Sequence, residues 1–505
     1  MVALIEFKVI RMKMPVLLAL VTTLCFPASS PQLRAQAVGP LFKAAPNLDA
    51  GAQHESRKQI DAFRRWNQAA VDASGLDHTP GFHQELGPGR SARAMAIVHV
   101  AMFDAMNAIS GDYESYTGVR APNGPISRDA AISQAAHDTL VALFPAQQAT
   151  FDARLARELN RLRNKKDKVS GIELGRRSAA VILALKSNDG SALPEPLMGT
   201  EFITSNEPGH WRQDPISLVP IALGAHWGDC VPFVLASVSQ FRSQPPPPLS
   251  SIAYAIAYEE AKRLGGDGVI TPTERTPEQT HIGFYWAYDG TPSLCAPPRL
   301  YNQIAVHIAD QMGSDELQTA RLLTIINVAM ADAAVACWDS KYFYDFWRPV
   351  TGIRESDPGT GPTLAGDGNE GTVGDLTFTP LGAPASNLSG PNFTPPFPAY
   401  PSGHATFGAT MFQILRRFYG TDDIPFTFVS DEFNGVTRGS DDTVRPLLPR
   451  SFSSLSQAEE ENGQSRIYLG IHWSFDKTAG IVLGHEIGDY VFDRTFRPLH
   501  RQAPK

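Results

Sequence analysis

The chain has 505 residues, of which 43% are hydrophobic and 19% charged. This is a globular composition, which excludes intrinsic disorder, collagen and coiled coil for the whole chain, and the length exceeds what one hydrophobic core usually supports. A net charge of −8 argues against a general nucleic-acid binder, which is normally basic, so any anion site must come from a local cluster of cations.

At the start of the chain, Lys8, Arg11 and Lys13 precede an apolar stretch from Pro15 to Phe26, and the small-residue pattern Ala35-Gln36-Ala37 comes after it. That order predicts a secretory signal peptide over residues 1–37, with Met12 or Met14 as alternative starts. The apolar stretch is shorter than the roughly 20 residues of a comfortable membrane span. The mature chain is therefore expected to be exported, with no membrane span. Cys25 would leave with the signal; Cys230, Cys295 and Cys337 are too few for a disulfide scaffold and lack zinc spacing, leaving room for one bridge of undetermined pairing.

Helical periodicity dominates the rest of the chain. Helices are predicted over residues 57–74, 91–110, 128–143, 149–164, 173–187, 252–264, 301–312, 316–346, 405–418 and 464–492, the last broken, with Ser91 as an N-cap. Strand-like alternation is scarce, so the fold class is all-α: two helical bundles packed together. The run Pro245 to Pro248 cannot be helical and marks the expected boundary between an N-terminal helical domain (38–248) and a C-terminal one (249–505). Residues 355–400 and 420–463 read as long irregular connections of the kind that often rim a site. The Gly-rich stretch 359–371 has no Gly-Lys-Ser/Thr ending and is no nucleotide phosphate loop. Asp431, Glu432, Asn434, Asp441 and Asp442 lack the order of a calcium loop and read as a solvated acidic segment.

Three segments carry chemistry. The first is Lys341-Tyr-Phe-Tyr-Asp-Phe-Trp-Arg348-Pro349. On one helix its two cations, seven residues apart, would share a face about 10 Å apart, together with Trp338 and Asp345. In an aromatic-rich buried helix they call for an anion. The second is Pro395-Pro-Phe-Pro-Ala-Tyr-Pro-Ser402-Gly403-His404. Prolines followed by Ser-Gly place Ser402 and Gly403 at a helix N-terminus, where free N–H groups and the positive dipole end favour an anion, with His404 in the first turn. The third is Ser465-Arg466-Ile-Tyr-Leu-Gly-Ile-His472-Trp-Ser-Phe-Asp476. Asp476 lies four residues after His472 and can take its Nδ1–H, leaving Nε2 as ligand or nucleophile. Arg466 and His472 would point about 120° apart on a straight helix, so a break is expected between them, at Gly470. One lysine, two arginines, a helix start and two histidines form an oxyanion cage with a coordinating partner and a proton carrier.

These three motifs together resemble the signature shared by vanadium-dependent haloperoxidases and the type 2 phosphatidic acid phosphatase superfamily. The resemblance extends upstream, where Phe284-Tyr-Trp-Ala-Tyr-Asp289-Gly and Pro297-Pro-Arg-Leu-Tyr-Asn302-Gln are similar to fungal chloroperoxidases, as Ser91-Ala-Arg-Ala is, more weakly, to the haloperoxidase N-terminal half. It implies a vanadate cofactor in the C-terminal bundle, with His472 as its single protein ligand. Lys341, Arg348, Ser402, the Gly403 N–H and Arg466 would hold its oxygens, and His404 would be the acid–base group. Lys341 would also polarise bound peroxide. Asp289 would pair with Arg466, Asp476 would orient His472, and Trp338 and Phe397 would line the halide side. Phe397 stands where brominating relatives tend to have histidine, which makes the chain nearer the chloroperoxidase type. Implied partners are hydrogen peroxide, halide and small organic acceptors, and the product is hypohalous acid. The same cage accepts phosphate, so the alternative is an acid phosphatase working through a phosphohistidine at His472, with His404 protonating the leaving alcohol. A non-catalytic helical scaffold would leave the cage without purpose.

Overall fold

A computed structural model describes residues 60–499; the expected signal segment, residues 1–37, lies outside the described residues. In chain order the helices are α1 (Ala62–Asp77), α2 (Pro88–Ser110), α3 (Arg128–Leu143), α4 (Gln148–Arg161), α5 (Lys165–Leu185), α6 (Ile252–Gly265), α7 (Pro277–Tyr285), α8 (Pro297–Gln311), α9 (Glu316–Tyr344), α10 (Pro349–Arg354) and α11 (Gly403–Tyr419). A hairpin of β1 (Phe426–Asn434) and β2 (Leu447–Phe452) comes next, then α12 (Leu455–Tyr468) and α13 (Ser474–Arg494). Among the described residues the fold is all-α apart from that hairpin. Residues 245–248 are non-helical and 355–400 are almost wholly irregular, as their proline and glycine content requires.

Local chemistry explains where the observed elements depart from the expected ones. Helix α2 begins three residues early: Gly87 (φ 89°) is its N-cap and Pro88 fills the first turn, where a missing N–H costs nothing. Ser91 is thus not a cap, and its hydroxyl donates to the Glu85 carbonyl. Helix α5 starts at Lys165 because Asn164 caps it. Helix α7 was not anticipated, although Thr276 and Gln279 form a reciprocal capping box and Pro277 opens the helix. The segment 420–463 is not irregular. Its β1 and β2 pair antiparallel, with an irregularity between Val429 and Asn434, and α12 starts behind the Ser454 cap. The polar run Gln457-Ala-Glu-Glu-Glu-Asn-Gly-Gln464 has no apolar stripe to betray that helix. Nor is the acidic segment wholly solvated: Asp431 pairs with Arg299 and Glu432 is buried against Arg445, while Asp441 and Asp442 are exposed. Cys230, Cys295 and Cys337 are all buried and free, so the one bridge left open by the sequence does not form among the described residues.

Helices α2 and α9 are long and apolar enough to cross a membrane, but their most apolar windows are 83% and 100% buried. They pack on each other as core helices. The core that they anchor is continuous from Phe63 to Phe496, so elements on both sides of the proline run share it.

The C-terminal half is organised by α9, α11 and α13, which pack on one another. Contact between α11 and α13 is made backbone to backbone through glycines. A Cβ on Gly480 would lie 2.6 Å from the Ser402 carbonyl oxygen, and one on Gly484 2.5 Å from that of Thr406. This approach lets the Ser402 N–H donate to the Asp476 carbonyl at 3.0 Å, tying the start of α11 to the start of α13. Gly480→Ala is expected to force the helices apart, destabilising the protein by about 1–3 kcal/mol and lowering Tm. An unchanged melting temperature would contradict the close packing.

Candidate active site

Lys341 occupies the last turn of α9, but Arg348 does not share its helix. Asp345 (φ 49°) ends α9 in the left-handed conformation. Arg348 is extended (φ −83°, ψ 156°) and caps α10, because Pro349 bars the preceding residue from helical geometry. The expected common face is therefore replaced by a turn. Asp345, expected to share that face, reaches instead to His210 Nδ1 at 2.9 Å. Both cations are nonetheless buried and close to the same segment. The Lys341 ammonium donates to the carbonyls of Pro398, Ala399 and Pro401 at 2.9, 2.9 and 2.5 Å. Arg348 Nε donates to the Phe397 carbonyl at 2.9 Å, and Nη1 to the Ile471 carbonyl at 2.8 Å and to His472 Nε2 at 2.9 Å. Burial pushes the Lys341 pKa down to about 7 and that of Arg348 down to about 9.

Ser402 caps α11, and Gly403 and His404 open its first turn, as expected. N–H groups there have no partner within the helix. A Cβ on Gly403 would sit tightly against the Trp338 ring, at 3.2 Å. The Trp338 ring lies 4.9 Å from Phe397, and both carry cations over their faces. His404 Nε2 donates to the Ala287 carbonyl. That carbonyl can only accept, so Nδ1 is the nitrogen with the lone pair. Burial, then the nearby Arg466, hold the His404 pKa well below its ordinary value.

Helix α12 ends just after Arg466, Gly470 takes φ 70°, and His472 stands before α13. The break falls where it was expected. His472 Nδ1–H donates to Asp476 Oδ2 at 2.8 Å, and the Trp473 N–H donates to the same oxygen at 3.0 Å. Burial, then Arg348 and Lys341, keep His472 neutral by lowering its pKa well below the usual value, and burial raises Asp476 to about 7. Arg466, 1% exposed, donates from Nη2 to Asp289 Oδ1 at 2.6 Å.

These groups meet at a cavity of about 180 Å³ whose lining includes Asp289, Trp338, Phe397, Gly403, His404, Arg466 and His472. Lys341, Arg348 and Ser402 lie beside it without forming its lining. Three guanidinium nitrogens (Arg348 Nη2, Arg466 Nε and Nη1) are buried and have no protein partner among the described residues. Unpaired buried cationic donors are costly, and here they flank a helix start and a neutral imidazole.

Residues 321–501 match the family described as the VCPO second helical-bundle domain. Over 497 residues the chain is 32% identical to vanadium chloroperoxidase from Curvularia inaequalis, covering 82% of this chain and 78% of the fungal one. The chain belongs to the vanadium-dependent haloperoxidase family. Its fold is that of a solved bacterial vanadium-dependent iodoperoxidase (TM-score 0.69, 24% identity, 89% of this chain and 100% of that one). A holo-type bacterial vanadium-dependent chloroperoxidase is also similar (TM-score 0.58, 16% identity, 85% and 96%).

Vanadate is the cofactor of haloperoxidases of this family, and the residues present fit it. The unpaired guanidinium donors and the N–H groups at the start of α11 suit an oxyanion, and a neutral imidazole with a fixed tautomer suits coordination. Sequence reasoning missed two contributors. One is the Ala287 carbonyl that fixes the His404 tautomer. The other is an apolar wall of the cavity to which Leu86, and Val219, Ile221 and Leu223 from the N-terminal half, contribute. No motif marks that wall, because a hydrophobic wall asks only for apolar bulk.

The Lys341 pKa has a measurable consequence for this haloperoxidase. An adjacent oxyanion favours the ammonium form, so binding above pH 7 must take up a proton. Oxyanion affinity is expected to fall as pH rises beyond about 7, by up to about tenfold per unit. Phosphate titrations from pH 6 to 9 check this. Equal slopes in wild type and Lys341→Met would show that another group is responsible.

Proposed function

We propose that the chain is a haloperoxidase that uses hydrogen peroxide to oxidise halide to hypohalous acid, with vanadate held by His472 Nε2. The observation that carries this reading is the lone-pair nitrogen of His472 beside unpaired buried Arg348 and Arg466 donors, in a chain 32% identical to a vanadium chloroperoxidase. When bound, vanadate supplies a Lewis-acidic centre for peroxide activation. Arg348, Arg466 and the Ser402–Gly403 helix start offset its negative charge. Asp476 fixes the His472 tautomer, and Asp289 holds Arg466 in place. Lys341 adds charge and, through its three carbonyl contacts, fixes residues 398–401 that lead into Ser402. A polarising role toward bound peroxide needs one of those contacts to be exchanged. His404 is neutral and moves a proton at Nδ1.

The relatives named above are haloperoxidases, which favours this reading over the phosphatase that the bare cage also allows. Vanadate-treated protein given peroxide with bromide or iodide is expected to brominate monochlorodimedone or to form triiodide. No oxidation of any halide, together with p-nitrophenyl phosphate hydrolysis without vanadate, would reverse the assignment. The order of charges, apolar stretch and small residues in 1–37 supports export as the location of this activity.

A further inference from the structure

The stretch Pro297-Pro-Arg-Leu-Tyr-Asn302-Gln supplies no group to the cage. One of its side chains nonetheless reaches the backbone of the cage. The Tyr301 hydroxyl, carried by α8, lies 2.9 Å from the His404 carbonyl oxygen and 2.8 Å from Asn462 Oδ1. Asn462, carried by α12, donates from Nδ2 to the same His404 carbonyl at 2.9 Å. Tyr301 and Asn462 are both 0% exposed. A carbonyl can only accept, so the amide must turn its NH2 to His404 and its oxygen to the Tyr301 hydroxyl, which has one proton to share between two acceptors.

The helix itself does not ask for this arrangement. Within α11 the His404 carbonyl has its ordinary partner in the N–H four residues on, that of Gly408. Two further side-chain donors are buried against it from two sides, since α8 and α12 both pack on α11. Gly408 makes the room: a Cβ there would fall 2.3 Å from Asn462 Nδ2 and 3.4 Å from the Tyr301 hydroxyl oxygen. Apolar packing at this position is given up for a polar contact. His404 is thus held at both ends, its ring by the Ala287 carbonyl and its own carbonyl by Tyr301 and Asn462. Asn462 also stands four residues before Arg466 on α12 and shares its face, so the contact ties the first turn of α11 to the helix that carries Arg466.

We infer that Tyr301 and Asn462 are positioning residues for the reaction: by gripping the His404 carbonyl they fix the first turn of α11 against α8 and α12, and with it the place of His404 Nδ1 at the cavity. The inference rests on the reading of His404 as the group that moves a proton. Such transfer needs donor and acceptor within hydrogen-bond reach, and a misplacement of about 1 Å costs on the order of 10²-fold in rate. With one grip removed the carbonyl keeps its helical partner, so the turn persists but is less closely placed.

Tyr301→Phe deletes the hydroxyl alone, and Asn462→Ala the amide. In the full chain loaded with vanadate, each is expected to lower kcat for iodide oxidation at least about tenfold, with bound vanadium and the iodide KM within about twofold of wild type. Added to His404→Ala, either substitution should cost less than about twofold more, because the group it places is already gone. A merely structural role would multiply the losses. A second reading needs no turnover. In the unloaded chain labelled with 15N-histidine, NMR should show the His404 ring as a single Nε2–H tautomer in wild type and as a mixture in Asn462→Ala. Gly408→Ala, which displaces the Asn462 amide, repeats both measurements should Asn462→Ala fail to fold. The inference is overturned if Tyr301→Phe and Asn462→Ala turn over like wild type while His404→Ala does not, if the losses multiply in the double variants, or if the tautomer is unchanged in every variant. Full turnover by His404→Ala would instead remove the proton-carrying role on which the inference rests, while the NMR reading would still report whether the ring is held.

Discussion

His472→Ala is expected to retain no vanadium after loading and desalting. Coordination needs a nitrogen lone pair, and His472 Nε2 carries one because Asp476 Oδ2 takes the Nδ1–H at 2.8 Å; the Arg348 Nη1–H that it accepts must be exchanged for the ligand. Losing groups that merely support a metal ligand typically costs 10–100-fold in affinity, so removing the proposed ligand itself should cost more than about 100-fold by the same scale. The substitution also takes away one of the two acceptors of Arg348 Nη1 and a partner of Asp476, leaving buried polar groups less well satisfied. Metal analysis by mass spectrometry decides the matter: stoichiometric vanadium in the variant would remove His472 from the ligand role.

His404→Ala is expected to keep its vanadium and lose about 10²- to 10⁴-fold in turnover, the range typical of general acid–base catalysis. The side chain reaches no other group proposed to hold the cofactor; its Nε2 is engaged by the Ala287 carbonyl. What disappears is a neutral nitrogen at the cavity wall that is able to accept and return a proton. Triiodide formation and metal content are to be measured on the same sample. Equal vanadium loss in both histidine variants would refute the division of roles.

Much of this site was legible because its chemistry demands particular residue types at short spacings. The four-residue step from His472 to Asp476 gives the imidazole–carboxylate contact without further help. Proline followed by Ser-Gly-His announces a capped helix start, and Gly470 breaks the chain between Arg466 and His472 as the 120° mismatch required. The Lys341 to Arg348 segment was misread for an equally local reason. Helical spacing was carried through Asp345 to Arg348, although Pro349 holds Arg348 extended, so the turn at Asp345 was overlooked. Helix α12 escaped notice because its burial is carried by groups such as Glu459, Asn462 and Arg466 rather than by an apolar stripe.

The sequence by itself determined the helical class and pointed to the residues of the cage and to the resemblance, since caps, periodicity and motif spacing act over three or four residues and leave their mark in any short window. Tertiary structure alone decided which donors remain unpaired, which nitrogen of His404 carries the lone pair, and which residues from the N-terminal half help to line the cavity. Those outcomes depend on contacts between residues a hundred or more positions apart, such as Leu223 with Trp338 and His404 with Ala287. Such contacts are set by how closely packed helices approach one another, and that distance is written in no single stretch of chain.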